Sequence, residues 1–268
     1  MGFCPLPPDP IRRPLGATFP ATGKDFAHQG QNPAGASGGA NESAMSLLDT
    51  FFNTGVLASS FPALLRGLVS TLLLGLASIV IGVPSGLAVS LVRLYAPRPL
   101  RLLAVGYTDI FRAVPVLVVL ILIYYALPFV GVRFSSWTSA LAAFSIVMAA
   151  YSAEVFRSGI QSVPKGQFEA AEALGLHFGQ TLVKVVLPQA LRVVIPPTTS
   201  NCVSMFKDTS LASAVALPEL LKEATDAQSF FANPTPLIGA ALVYLAFLWP
   251  MVRLVGVLEQ RFSQQKVR

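Results

Sequence analysis

Glu169-Ala170-Ala171-Glu172-Ala173-Leu174-Gly175, and after nine further residues Val185-Val186-Leu187-Pro188, form a polar island in an apolar chain. Runs without a single charge lie on both sides, Phe134 to Ala153 before the island and Val193 to Phe206 after it. A mostly apolar chain keeps such a loop for a use. Its composition suits a segment gripped by a partner from the water side.

The surrounding composition sets the class. Of 268 residues, 53% are hydrophobic and 12% charged, and the mean hydropathy is +0.63. A soluble domain carries about 25% charged residues, so this chain reads as a polytopic membrane protein. The net charge of +6 is not gathered into one patch of the kind nucleic acid would need. The basic residues stand at the ends of apolar runs, where they meet water and anionic headgroups. Cys4 and Cys202 lie far apart in unlike contexts, and neither a disulfide nor a metal site is predicted.

A bilayer core of roughly 30 Å needs about 20 apolar residues in helical form. Gly67–Val92, Ala113–Val132, Phe134–Ala153 and Ala227–Val252 are uncharged and long enough. A fifth run around Val193–Phe206 contains Pro196 and Pro197, which predicts an irregular helix held in the protein interior. The fold is thus predicted as an all-α integral membrane protein with five transmembrane helices. Its spans are placed at about 64–93, 101–131, 136–160, 189–211 and 234–258, with the polar loop at 164–188. Residues 45–61 form a pre-membrane segment, 62–262 the transmembrane domain and 263–268 a tail. Ser210–Ser229 is too polar to span and reads as a short helix lying at the outer surface or dipping partly in. Residues 1–44 are rich in Pro, Gly, Ala and Asn and read as a disordered extension, with Met45 as an alternative start.

Five spans put the ends on opposite sides. The 93–112 connection holds Arg93, Arg98, Arg101 and Arg112, and the 154–192 connection holds Arg157, Lys165, Lys184 and Arg192. The tail holds Arg253, Arg261, Lys266 and Arg268, whereas the opposite connections hold Arg133, Lys207 and Lys222. This bias makes the polar loop and the C-terminus cytoplasmic and puts the N-terminus outside.

Within the loop, Pro164 ends the third span and Lys165-Gly166-Gln167 is predicted as a turn. Phe168–Leu174 follows as a helix, with Glu169 and Glu172 on one face. Gly175 and Gly179 permit bends. Leu174, Leu176 and Phe178 offer apolar contacts, and His177 adds contact surface. Trp137 and Trp249 read as interfacial anchors.

Ionisable groups in or near spans default to functional candidates. Glu154 and Arg157 stand three apart at the end of the third span, as a salt bridge or as a support for the loop. Asn201, Ser204 and Lys207 form a helical stripe with Asp208 beside it, suiting either a polar pathway or polar packing between helices. Arg112 begins the second span and either snorkels to headgroups or faces the pathway. Thr198, Thr199 and Ser200 either mend the carbonyls freed by the proline pair or touch substrate. No nucleophile triad, paired carboxylates or metal set is present. The segment from Gly16 to Lys24 fails as a phosphate loop, because Asp25 follows the lysine where Ser or Thr is needed.

The spacing Glu-Ala-Ala, three residues, Gly, nine residues, Val-X-Leu-Pro resembles the EAA signature of permease subunits in ATP-binding-cassette importers. It is met at Glu169, Ala170, Ala171, Gly175, Val185, Leu187 and Pro188. Phe111-Arg112-Ala113-Val114-Pro115, Ala150–Arg157, Gly159–Gln167 and Lys207-Asp208-Thr209-Ser210-Leu211 are similar to runs of the polar amino acid group of these permeases (histidine, glutamate, glutamine, arginine and opines). Ala113 replaces a glycine of that pattern and Val119 a glutamine, and the loss of a polar group at 119 bears on the exact substrate, not on the class. The resemblance covers about Pro62 to the C-terminus.

It implies a type I importer permease fold in a bacterial inner membrane, with residues 164–188 as a cytoplasmic coupling helix. Glu169, Ala170, Ala171, Glu172, Gly175, Leu187 and Pro188 would contact a separate ATPase that binds the ATP and Mg, so no cofactor is expected in this chain. It further implies a second permease subunit, identical or paralogous, and an extracytoplasmic solute-binding protein. Two other classes stay open. An ion-coupled carrier would show internal repeats and mid-membrane charges, and a membrane enzyme would need a reactive constellation.

Overall fold

The computed structural model describes residues 49–264, with side chains to 261. All regular structure among them is helical. The predicted extension at 1–44 and most of the tail at 263–268 lie outside the described residues.

The first helix, α1 (Thr54–Tyr95), starts where the Asn53 side chain accepts the Val56 N–H at 3.0 Å. It runs through Pro62 and Pro84 without ending, so much of the expected pre-membrane segment is already span. Gly82 and Gly86 let α1 lie directly against α4. A Cβ at Gly86 would sit 2.7 Å from the Ala149 carbonyl oxygen.

Helix α2 (Arg98–Ala113) and helix α3 (Val116–Ile121) are two limbs of the second span, bent by 106° at Val114-Pro115. Pro115 has no N–H to continue the helical ladder. From α3 the chain passes through a π-helical turn at Leu122–Ala126 and a 3₁₀ turn at Leu127–Val130. The predicted straight span at 101–131 is therefore a broken one.

Helix α4 (Ser136–Gln161) is capped by Ser135 and is the most enclosed span. It leads to α5 (Lys165–Ala173), then α6 (Phe178–Thr181), which continues through a π-helical turn at Leu182–Val186 into α7 (Leu187–Asp208). A 3₁₀ segment (Thr209–Val215) leads to α8 (Leu220–Phe231) and α9 (Thr235–Gln264).

Both π-helical turns end two residues before a proline, just ahead of Leu127-Pro128 and Leu187-Pro188. In each, the leucine N–H reaches back five residues, Leu127 to Leu122 and Leu187 to Leu182. A proline ring collides with the carbonyl four residues earlier, and widening the helix relieves that crowding.

Among the described residues, four helices are long and apolar enough to cross a membrane, and the bent pair makes a fifth. Three buried clusters hold them together. The largest joins α1, α3, α4 and α7 through Leu74, Leu120, Phe144, Met148 and Met205. A second, Ile160, Val163, Leu182, Val186 and Ala190, sits under the polar loop. The third joins α1, α8 and α9 through Leu64, Leu220, Ala224 and Ala240.

Several expectations need correction. The helix over the proline pair is regular and not interior in this protomer: Leu191, Val193 and Ile195 are exposed. Thr199 Oγ1 donates to the Ile195 carbonyl at 2.8 Å, which neither proline frees, and buried Thr198 Oγ1 has no partner. Lys165-Gly166-Gln167 is not a separate turn but the first turn of α5, because Pro164 already sets the helical entry. Gly179 lies inside α6 and makes no bend. The helix placed within Ser210–Ser229 starts only at Leu220, after the 3₁₀ segment, and is partly embedded as one of the two expected readings had it. Trp137 packs against the main core instead of anchoring an interface, whereas Trp249 is exposed beneath Arg253, 5.4 Å from its ring.

Candidate functional site

The polar loop folds into a closed elbow. Helix α5 ends in a Schellman motif. The Gly175 N–H bonds the Glu172 carbonyl at 2.9 Å and the Leu176 N–H bonds the Ala171 carbonyl at 3.1 Å. Gly175 takes φ +76°, which a side chain resists. Ala171 is buried beneath the elbow, and Phe168 and Leu187 pack on the cluster below. Gln189 Nε2 ties α7 back to α5 through Gln167 Oε1 at 3.0 Å.

What faces outward is a short apolar ridge between acids. Glu169, Ala170, Glu172 and His177 are exposed, and Leu174 is 81% exposed although nothing obliges a leucine to be there. Phe178 is half exposed and meets Tyr95, at the end of α1, edge to face with centroids 4.8 Å apart. Pro188 is exposed on the same arm, just beyond the π-helical turn.

A second feature is a cavity of about 440 Å³ at the break in the second span. Arg112 and Ala113 of α2, the Val114-Pro115 break, Val147, Met148 and Tyr151 of α4, and Asn201, Ser204, Met205 and Asp208 of α7 line it. The stripe on α7 is thus Asn201, Ser204 and Asp208, at i, i+3 and i+7. Lys207 was grouped with this stripe, but it points elsewhere and is exposed. Spacing of three from Ser204 admits Lys207, yet the cavity follows the slower drift of a 3.6-residue period. Val119 lies in the main core, not in the cavity, so the loss of a polar group there does not alter the cavity wall.

Between cavity and elbow lies a charge cluster. Glu154 and Arg157 pair as expected, with Arg157 Nε at 3.2 Å from Oε2 and its Nη2 on Oε1. Arg93, counted in the sequence only as a loop cation, is half-buried and bonds Glu154 Oε2 at 2.7 Å and Thr108 Oγ1 at 3.0 Å. Arg112 Nη1 stands 3.6 Å from the same oxygen.

The sequence reading also missed Glu219. It is wholly buried at the start of α8 and makes no ion pair among the described residues. Its carboxylate accepts the N–H groups of Leu221 (2.9 Å) and Lys222 (2.7 Å) and the Tyr244 hydroxyl (3.0 Å). Burial pushes its carboxyl above the usual glutamate range, and these donors pull it back only in part.

With the elbow and cavity in view, the chain can be set beside known proteins. Residues 78–264 match the family described as "Binding-protein-dependent transport system inner membrane component". The chain belongs to this family. It is 38% identical over 213 residues to the "Probable amino-acid ABC transporter permease protein YckA" of Bacillus subtilis (strain 168), covering 79% of this chain and 94% of that one. It is 37% identical to the "L-cystine transport system permease protein TcyB" of the same organism, covering 77% and 89%. Among solved structures, "Crystal structure of an amino acid ABC transporter with histidines" superposes with a TM-score of 0.71 at 31% identity, over 76% of this chain and 96% of that one. An inward-facing "MetNI methionine ABC transporter" shares the fold, with a TM-score of 0.59 at 22% identity. The family member is a multi-pass membrane permease, and the ion-coupled alternative has no support from these matches.

Proposed function

We propose that this permease imports a polar amino acid, with elbow 164–188 taking up the motion of a separate ATPase. The observation that carries this reading is α7. The helix starts at the elbow with Leu187 and ends beside the cavity with Asp208. Its 22 residues make a rod of about 33 Å. Movement imposed on the elbow reaches the cavity along one helix.

Glu169, Ala170, Glu172 and Leu174 form the ATPase-facing ridge. Ala171, Gly175, Leu187 and Pro188 shape the elbow beneath it. The ATP and Mg belong to that partner. Arg112 and Asp208 place opposite charges on the cavity wall, and Asn201 and Ser204 add uncharged polar groups, which together suit a zwitterion. The cavity is open on this protomer, and a second permease subunit, identical or paralogous, would close it. A solute-binding protein would deliver the amino acid at the end away from the elbow. The elbow and C-terminus are cytoplasmic and the N-terminus is outside, in a bacterial inner membrane.

Glu169→Lys with Gly175→Asp tests this reading in proteoliposomes carrying the assembled importer. We expect lost ATP-dependent amino acid uptake and lost ATPase association, with the helical fold kept. Uptake that survives both changes without ATP refutes it.

A further inference from the structure

Glu154 has more positive charge around it than it needs. Arg93 and Arg157 supply its short contacts, from α1 and from one turn further along α4. Arg112 is the surplus third. Its 3.6 Å approach is beyond hydrogen-bonding distance. Its side chain is 39% exposed, against 16% for Arg93 and 27% for Arg157. It also lines the cavity, with its guanidinium 5.9 Å from the Tyr151 ring. Arg112 therefore belongs to two neighbourhoods at once.

The far side of Glu154 leads to the elbow. Arg157 bonds Gln161, the last residue of α4. Ser162 caps that helix, Val163 is buried in the cluster under the elbow, and Pro164 opens α5. Glu154 thus stands between a cation that faces the cavity and the helix end that sets the elbow. The limb carrying Arg112 stops two residues later at the 106° bend, so it has a hinge beside it.

We propose that Glu154 reports cavity occupancy to the coupling elbow: an anionic group in the cavity draws Arg112 away from it, and the Arg93–Glu154–Arg157 clamp that remains passes the change to the end of α4. This rests on the transport reading of cavity and elbow. A ligand shifts a conformational balance only by binding its two states unequally. Arg112 supplies that inequality, because it serves either Glu154 or the ligand. Glu154 and Arg157 are positioning residues here, since neither lines the cavity.

Removing the Arg112–Glu154 contact should then mimic occupancy. In the assembled importer in proteoliposomes, ATP hydrolysis is measured with the binding protein alone and again with a mixture of the proteinogenic amino acids. Arg112→Gln leaves the Arg93–Glu154–Arg157 clamp intact and is the primary variant. We expect its hydrolysis without amino acids to rise about threefold to fivefold, the factor a part-exposed ion pair carries. Its response to amino acids should shrink by the same factor, and Arg112→Lys should restore most of it. Glu154→Gln also removes the clamp, so it should lose the amino acid response, and adding Arg112→Gln to it should raise the unstimulated rate no further. The proposal is overturned if Arg112→Gln leaves the unstimulated rate at or below wild type. It is equally overturned if the two single effects multiply in the double variant. A wild-type complex without any amino acid response refutes the transport reading, and this proposal with it.

Discussion

Replacing Glu219 with alanine tests whether a carboxylate at the foot of α8 joins three helices. In the wild type it takes two helix-terminal N–H groups and the Tyr244 hydroxyl of α9. The next N–H, of Leu220, goes to Thr71 Oγ1 of α1 at 3.1 Å. Gly67 of α1 makes this close approach possible, since a Cβ there would sit 2.8 Å from the Leu220 Cα. Alanine removes the cap, which costs about 1 kcal/mol. It also takes the carboxylate acceptor from the Tyr244 hydroxyl, at about 1–3 kcal/mol. Relief from burying a carboxylate offsets part of this, so the net loss is about 2 kcal/mol. At about 2–4 °C per kcal/mol for a chain of this size, the melting midpoint in detergent should fall by about 4–8 °C. Tyr244→Phe removes that hydroxyl, so the double variant should recover about 1 kcal/mol relative to additivity. An unchanged midpoint for Glu219→Ala, or strict additivity with Tyr244→Phe, would refute the joint.

Four more outcomes follow from the same contacts. Glu219 should also give a pH signature. Its folded carboxyl holds a proton to higher pH than the unfolded one, so its stabilising contribution is full at low pH. That contribution is lost as pH rises from the ordinary glutamate range through the folded value, and melting curves of wild type minus Glu219→Gln should fall across that window. Gly86→Val should separate α1 from α4, because the Ala149 carbonyl lies 2.7 Å from any Cβ there; size-exclusion chromatography should show loss of monodisperse protein, whereas Gly106→Val, where a Cβ meets nothing within 4 Å, should be neutral. Leu174→Asp should leave the melting midpoint within about 1 °C, as an exposed substitution does, and abolish copurification with the ATPase. Gly175→Ala should cost about 1–2 kcal/mol because of its left-handed φ, read as a lower midpoint and weaker ATPase coupling, and Gly175→Asn should cost less.

The membrane class and the elbow were legible because both are written in local pattern. Uncharged runs longer than a bilayer needs have few other uses, and Glu169 to Pro188 carries its turn chemistry in order. What escaped was set by partners distant in sequence. Arg93 reads as one loop cation among four until Glu154, 61 residues away, is placed beside it. Glu219 reads as part of a charged surface helix with Lys222, Glu223 and Asp226. Lys222 and Asp226 do pair with each other at the surface, while Glu219 turns inward to its own helix start. Charge counts cannot separate these fates, because the cap geometry lies in the backbone. Lys207 falls outside the cavity wall for a smaller reason, since a spacing of three drifts away from a face that recurs every 3.6 residues.

The three prolines of α7 explain why the rod runs unbroken at one place and is loosened at another. Pro196 and Pro197 sit in mid-helix, and the helix still runs unbroken from Leu187 to Asp208. Pro188 instead follows a π-helical turn, and that turn lies where the elbow joins the rod. An added residue per turn rotates everything before it relative to everything after it. The orientation of α5 against α7 is therefore set by the Leu187-Pro188 step. Pro188→Ala removes the ring that crowds the Lys184 carbonyl and lets the turn relax to a regular α-helix. The elbow should then swing about the rod while the cavity wall at Asn201, Ser204 and Asp208 stays in place. Cysteine cross-linking between Gln167 and Gln189, whose side chains now meet at 3.0 Å, should fall sharply in that variant. Undiminished cross-linking would mean that the π-helical turn is held by the packing of Leu182 and Val186, and not by the proline.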